Sequence, residues 1–153
     1  MHDLMKFLHI LAVVLLLGNL LMAPFWRKLL AAGGEQARSV ANRSMRTADL
    51  LFTLPGWVIV LVTGLVLAFQ RGWKGNGWIH LSLTLFAGWV ILWHMLVLPA
   101  RKAMIAAADT PALGGQATAA LAQHERRWQQ WTYVSAAIVT VILLLMVARP
   151  FTR

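Results

Sequence analysis

FLHILAVVLLLGNLLMAPFW, residues 7–26, is twenty residues long and holds no charged side chain. At 1.5 Å per residue a helix of that length reaches about 30 Å, the thickness of a bilayer's hydrocarbon core. The run does not alternate between polar and apolar residues, so it does not fit the strand of a membrane barrel, and a helix is the remaining way to satisfy its backbone in lipid. Pro24, Phe25 and Trp26 lead straight into Arg27 and Lys28, with no small-residue cleavage site. The stretch therefore reads as a retained span and not as a signal peptide.

Three further runs have the same character: residues 50–70, 75–100 and 128–148, none of which holds Asp, Glu, Lys or Arg. The whole chain has 153 residues, 59% hydrophobic and 12% charged, about half the charge of a soluble domain. The expected fold is all-α: a single domain over residues 1–153, an integral membrane four-helix bundle running up-down-up-down. There is no cysteine, which excludes disulfides and thiolate metal sites and leaves His, Met, Asp and Glu as candidate ligands. The net charge of +9 sits in the connections between apolar runs. That is the topology signal of a membrane protein, and it argues against a nucleic-acid partner.

Lys and Arg divide unevenly between the two sides. The ends of the chain and the middle connection hold Lys6, Arg71, Lys74, Arg149 and Arg153, which is five. The other two connections hold Arg27, Lys28, Arg38, Arg43, Arg46, Arg101, Lys102, Arg126 and Arg127, which is nine. The positive-inside bias then puts both termini outside and the two longer connections in the cytoplasm, as in a multi-pass protein of a bacterial inner membrane. Residues 35–49 lack Pro and Gly and extend the second helix inward, after a break at Gly33 and Gly34. Residues 101–109 prolong the third helix, Thr110, Pro111, Gly114 and Gly115 form a turn, and residues 116–127 begin the fourth helix. The short connection 71–77 joins antiparallel neighbours.

Ionisable residues within spans are functional candidates. His9, His80 and His94 qualify, whereas none of the five carboxylates (Asp3, Glu35, Asp49, Asp109, Glu125) falls inside a run. This disfavours a carboxylate-based proton pump and an acidic channel ring. At 100° per residue His9, Ala12, Leu16, Asn19 and Ala23 share a stripe, as do His80, Thr84, Ala87, Ile91 and His94. His80 and His94 are 14 residues apart, about 21 Å along a helix, too far to share a metal. His9 and His80 lie near the same end of two helices that run in the same direction. Together they suit bis-histidine ligation of a haem b between the first and third helices. Asn19, Ser82, Thr84 and Tyr133 are candidate second-layer contacts, and His94 is a candidate further ligand. A histidine near a helix end also serves as an interfacial residue bonding a carbonyl, and that reading stays open for all three. Gly56, Thr63 and Gly64 fit plain helix packing, and Met22, Met95 and Met146 fit core positions better than copper ligation.

The opening KFLHILAVV (residues 6–14), with Gly18, Pro24 and Arg27, resembles the first helix of the HemJ family. These are small bacterial membrane proteins associated with protoporphyrinogen oxidation and bound haem b. The resemblance continues through Pro55 and Gly64, Trp78-Ile79-His80 with His94, and the closing VARPF at residues 147–151. The same helical plan is similar to the membrane domain of CopD-like copper-resistance proteins. The resemblance implies that His9 is a haem ligand, and it places His80 and His94 where the family carries histidines. There are departures. The family's Lys two positions after its Trp-x-His is Ser82 here. Its Asn-Glu pair leading into the last span has only Gln129 and Gln130 nearby, and its Trp midway along the first helix is Leu. A relative that keeps the haem site, without necessarily the same oxidase reaction, is what remains.

The expected function is accordingly that of a haem b-binding membrane protein in electron transfer or an oxidoreductase reaction, with a quinone or porphyrin as substrate and a homo-oligomer as a possible assembly. Two alternatives stay open: a copper or small-ligand binding or transport protein of CopD-like type, and a cofactor-free membrane partner subunit.

Overall fold

The computed structural model describes residues 2–72, 76–109 and 115–150. The connection at Trp73, Lys74 and Gly75, and the turn at Thr110, Pro111 and Gly114, lie outside the described residues. The described chain is almost entirely helical: α1 (His2–Ala31), α2 (Gly34–Ala48), α3 (Leu54–Arg71), α4 (Gly77–Leu92), α5 (Leu98–Asp109) and α6 (Gly115–Ala148). Four helical stretches are long and apolar enough to cross a membrane: His2–Leu30, Val40–Arg71, Gly77–Ala107 and Ala119–Ala148.

α1 and α2 are separated by a break at which Gly34 takes φ +89°, a conformation that favours a residue without Cβ. The second and third spans each contain a π-helical turn, Asp49–Thr53 between α2 and α3 and Trp93–Val97 between α4 and α5. Each turn is followed two residues later by a proline, Pro55 and Pro99. Proline donates no N–H and its ring crowds the carbonyl four residues back. The ladder widens just before it: Leu54 N–H bonds the Asp49 carbonyl and Leu98 N–H bonds the Trp93 carbonyl, a step of five.

α1 packs along α3 and α4 along α6, while α1 also meets α2 and α6. The core runs through the centre of the bundle, with Leu16, Leu20, Trp89, Val97 and Met104 almost wholly enclosed. The outer surface is apolar, as a lipid-facing surface must be: Phe7, Val14, Val62, Phe69, Ile91 and Val147 are all exposed.

Candidate functional site

At the end of the bundle that carries the termini, the helix pairs α1–α3 and α4–α6 part around a cavity of about 650 Å³. That falls within the range of cofactor and small-molecule sites, about 300–1,000 Å³. Val13, Leu17, Val60, Gly64, Ala68, Ile79, Phe86, Leu143 and Met146 make its walls mostly apolar. Its polar groups fall into two sets. His9, Trp78 and Ser82 lie within it, and His2, Lys6, Arg71 and Arg149 stand around its mouth. No carboxylate lines it among the described residues.

Gly72, just beyond α3, has φ +82° and stops that helix after Arg71. Arg149 follows α6 with φ +46°, unusual for a residue with a side chain, and its N–H closes the helix on the Leu145 carbonyl at 2.9 Å. Across the same end His2 Nδ1 meets Gln70 Oε1 at 2.7 Å, tying the start of α1 to the end of α3.

His9 is 9% exposed and lies against α3. The Thr63 hydroxyl donates to the Ile59 carbonyl at 2.5 Å, so its single proton is committed. The contact of 2.9 Å between His9 Nδ1 and Thr63 Oγ1 must then run from Nδ1–H to the hydroxyl oxygen. This fixes the tautomer: Nδ1 carries the proton and Nε2 carries a lone pair. The ring also makes a backbone hydrogen bond to Val60. Gly64 makes room for the ring, since a Cβ there would lie 3.0 Å from His9 Cε1. Thr63 and Gly64, whose spacing fits plain helix packing, both stand against the histidine.

The expected pairing of His9 with His80 is not formed. Trp78, Ile79, Ser82, Phe86 and Trp89 take the inward face of α4. The stripe His80, Thr84, Ala87, Ile91 and His94 is exposed along its whole length, so both of its histidines face outward. Thr84 bonds the His80 carbonyl at 2.9 Å. His94 donates from Nδ1 to the Val90 carbonyl at 2.9 Å and stands edge-on to Trp57, with ring centroids 6.5 Å apart. The corresponding stripe on α1 does face inward, with His9, Ala12 and Leu16 buried. Of the second-layer candidates, Ser82 alone lines the cavity: Tyr133 is exposed, and Asn19 bonds elsewhere.

Residues 3–150 match the family of predicted integral membrane proteins DUF2269. The chain belongs to that family. No curated protein and no solved structure matches it. The DUF2269 match establishes an integral membrane protein and carries no link to HemJ or CopD.

The opposite end of this DUF2269 chain is closed by charged and polar side chains, most of them from the connections and helix extensions that flank the spans. Arg27, 1% exposed, donates to Asn42 Oδ1 and to Glu125 Oε1, each at 2.6 Å, and so joins α1, α2 and α6. Asp49 forms an ion pair with Arg101. Asn19 donates to Thr53 Oγ1 at 2.7 Å and to Asp49 Oδ1 at 3.3 Å, and Thr53 donates to Asp49 at 2.9 Å. Asp49 lies on the inward extension of the second span expected over residues 35–49, within the continuous helix Val40–Arg71, and its side chain is 15% exposed. The bundle is thus tied at one end and open at the other. Among the described residues no group of three or more His, Cys, Asp or Glu side chains is placed to hold a metal ion.

Proposed function

We propose that this membrane protein binds haem b in the cavity at its terminal end. His9 is the chain's iron ligand, and Lys6, Arg71 and Arg149 receive the propionates. The observation that carries the reading is the state of His9. Its Nδ1 proton is given to a hydroxyl whose own proton is already committed, which leaves Nε2 as the nitrogen that carries the lone pair. Metal-ligating imidazoles are held in this way, with the second nitrogen fixed by an oxygen acceptor.

The rest of the cavity fits the same group. A porphyrin brings four donors of its own, so one imidazole suffices where a bare ion would require several. The apolar walls suit a flat hydrophobic macrocycle, and the three cations at the mouth suit two carboxylates at one edge of it. Ile10, Val14 and Leu21 on the cavity's α1 side are exposed, which gives a lipid-borne ligand a lateral way in. When bound, haem b supplies a one-electron iron couple whose potential follows burial and the hydrogen bonding of its axial imidazole. The protein's role in this reading is electron transfer or a membrane oxidoreductase step. By the count of Lys and Arg, the cavity mouth faces outward.

The test is an absorption spectrum of the detergent-purified full chain, with and without added hemin. The expected result is a Soret band with stoichiometric uptake, lost in His9→Ala and kept in His80→Ala. A colourless wild-type chain that takes up no hemin refutes the reading.

A further inference from the structure

The sequence puts nine Lys and Arg at the closed end against four carboxylates, Glu35, Asp49, Asp109 and Glu125. Asp49 and Glu125 are turned inward, onto Arg101 and Arg27. Lys28, Arg43, Arg46, Lys102, Arg126 and Arg127 are exposed. They come from all four spans: one on α1, two on α2, one on α5 and two on α6. The two ion pairs thus neutralise the bundle's own buried arginines and leave its rim positive.

The bonds of Arg27 to Asn42 and Glu125 fix the level of this rim. Lys28 follows Arg27, Arg43 follows Asn42, and Arg126 and Arg127 follow Glu125. These four cations therefore stand within about 3 Å of one plane through α1, α2 and α6. Arg46 is one turn along α2, about 5 Å deeper. Its charge is felt by Arg101 on α5, where Lys102 is the next residue. A headgroup layer is roughly 5–8 Å thick, and flexible Lys and Arg stems span the difference in level.

Toward the middle of the membrane each helix turns apolar and exposed, at Trp26, Leu50, Met95 and Val134. In the other direction the cations run out. Residues 103–109 of α5 and 115–124 of α6 contain no Lys or Arg, and residues 34–42 of α2 contain only Arg38. A soluble acidic partner would meet those projecting turns first. Positive charge concentrated where the apolar surface ends matches a layer of lipid phosphates instead.

We propose that the closed end binds anionic phospholipid. Phosphodiester headgroups of the phosphatidylglycerol type seat against the rim, and their acyl chains lie on the apolar surface below it. Guanidinium forks on α2 and α6 match the paired oxygens of a phosphate, and each further cation adds to an attraction that salt screens. The rim lies at the end opposite His9, so this interaction is independent of what the cavity holds.

The experiment reconstitutes the full chain in phosphatidylcholine vesicles. Electron paramagnetic resonance of spin-labelled lipids then compares the association of phosphatidylglycerol and of phosphatidylcholine with the protein. The expected preference for phosphatidylglycerol is several-fold at low salt and approaches parity in about 1 M NaCl, where the Debye length is about 3 Å. Lys28→Gln combined with Arg43→Gln, Arg126→Gln and Arg127→Gln lowers the preference to less than half. Arg126→Gln with Arg127→Gln, a milder change should the fourfold variant not fold, lowers it part of the way. Lys6→Gln with Arg71→Gln and Arg149→Gln, at the other end, keeps most of it. Equal association of the two lipids with the wild-type chain overturns the proposal and leaves the rim to a soluble acidic partner. A preference that both rim variants keep in full overturns it as well. So does a preference abolished by millimolar inorganic phosphate at constant ionic strength, which would make the free anion the ligand.

Discussion

Thr63 accepts the Nδ1 proton of His9 at 2.9 Å while giving its own proton to the Ile59 carbonyl. The pair joins the first span to the second and determines which face of the imidazole is chemically open. Thr63→Val keeps the side-chain shape and removes the acceptor. Loss of such an outer partner typically lowers metal affinity about 10- to 100-fold. Hemin titration of the purified variant is expected to show a drop in that range, with Thr63→Ser close to wild type. An unchanged affinity in Thr63→Val means that the hydroxyl does not hold the ring.

Gly64 sets the depth at which that ring can sit. A Cβ at this position would come within 3.0 Å of His9 Cε1, tighter than ordinary van der Waals contact. The ring can give by a few tenths of an ångström for Ala but not for a branched side chain. Gly64→Ala is expected to shift the Soret maximum with little loss of hemin affinity, and Gly64→Val to lose most of the affinity. Circular dichroism of both variants should keep full helix content, since α3 is held by its packing on α1 along its length. A Gly64→Val protein that binds like wild type rules out this contact as a constraint on the site.

The four spans were legible because twenty uncharged residues in lipid have one physical solution. The inward stripe of α1 was legible too, since Ala12 and Asn19 break an otherwise uniform row of large apolar residues. On α4 the same reasoning chose the wrong face. That helix is apolar all round, with Leu81 and Ile91 outside and Ile79 and Phe86 inside, and lipid does not discriminate between them as water would. Two histidines on one stripe attracted the assignment, whereas the buried face is marked by Trp78, Ser82 and Trp89. The polar closure at the far end was illegible for another reason. Arg27 bonds Glu125, 98 positions away, and nothing local to Arg27 distinguishes an arginine that folds inward from one that snorkels to the interface.

Arg149 occupies the left-handed region at the end of α6, with φ +46°. A side chain there is held against its intrinsic preference at roughly 1 kcal/mol. Arg149→Gly removes that strain and also removes a cation from the cavity mouth. The two effects point in opposite directions and can be measured separately. Thermal unfolding in detergent is expected to be unchanged or raised by a few degrees, while hemin affinity falls about three- to tenfold and the loss shrinks at high salt. Arg149→Lys should keep the affinity. A variant that loses affinity and stability together would show that Arg149 acts in folding and not on the ligand.

The Asp49–Arg101 pair decides whether the closed end is a stabilising tie or only a compensated burial. Both side chains are largely enclosed, at 15% and 13% exposed, and Asn19 and Thr53 supply the carboxylate with further donors. Removing either partner leaves the other charge poorly solvated, and such breaks destabilise by about 3–5 kcal/mol. Removing both leaves no charge behind. Asp49→Asn and Arg101→Met are each expected to lower the unfolding midpoint clearly. The double variant should recover most of the loss, with a coupling energy of about 1–3 kcal/mol in a double-mutant cycle. The hemin spectrum should stay the same throughout, because this pair lies at the opposite end from His9. Strict additivity of the two single effects would mean that the ion pair contributes nothing as a pair, and that Arg27 with Glu125 and Asn42 carries the closure alone.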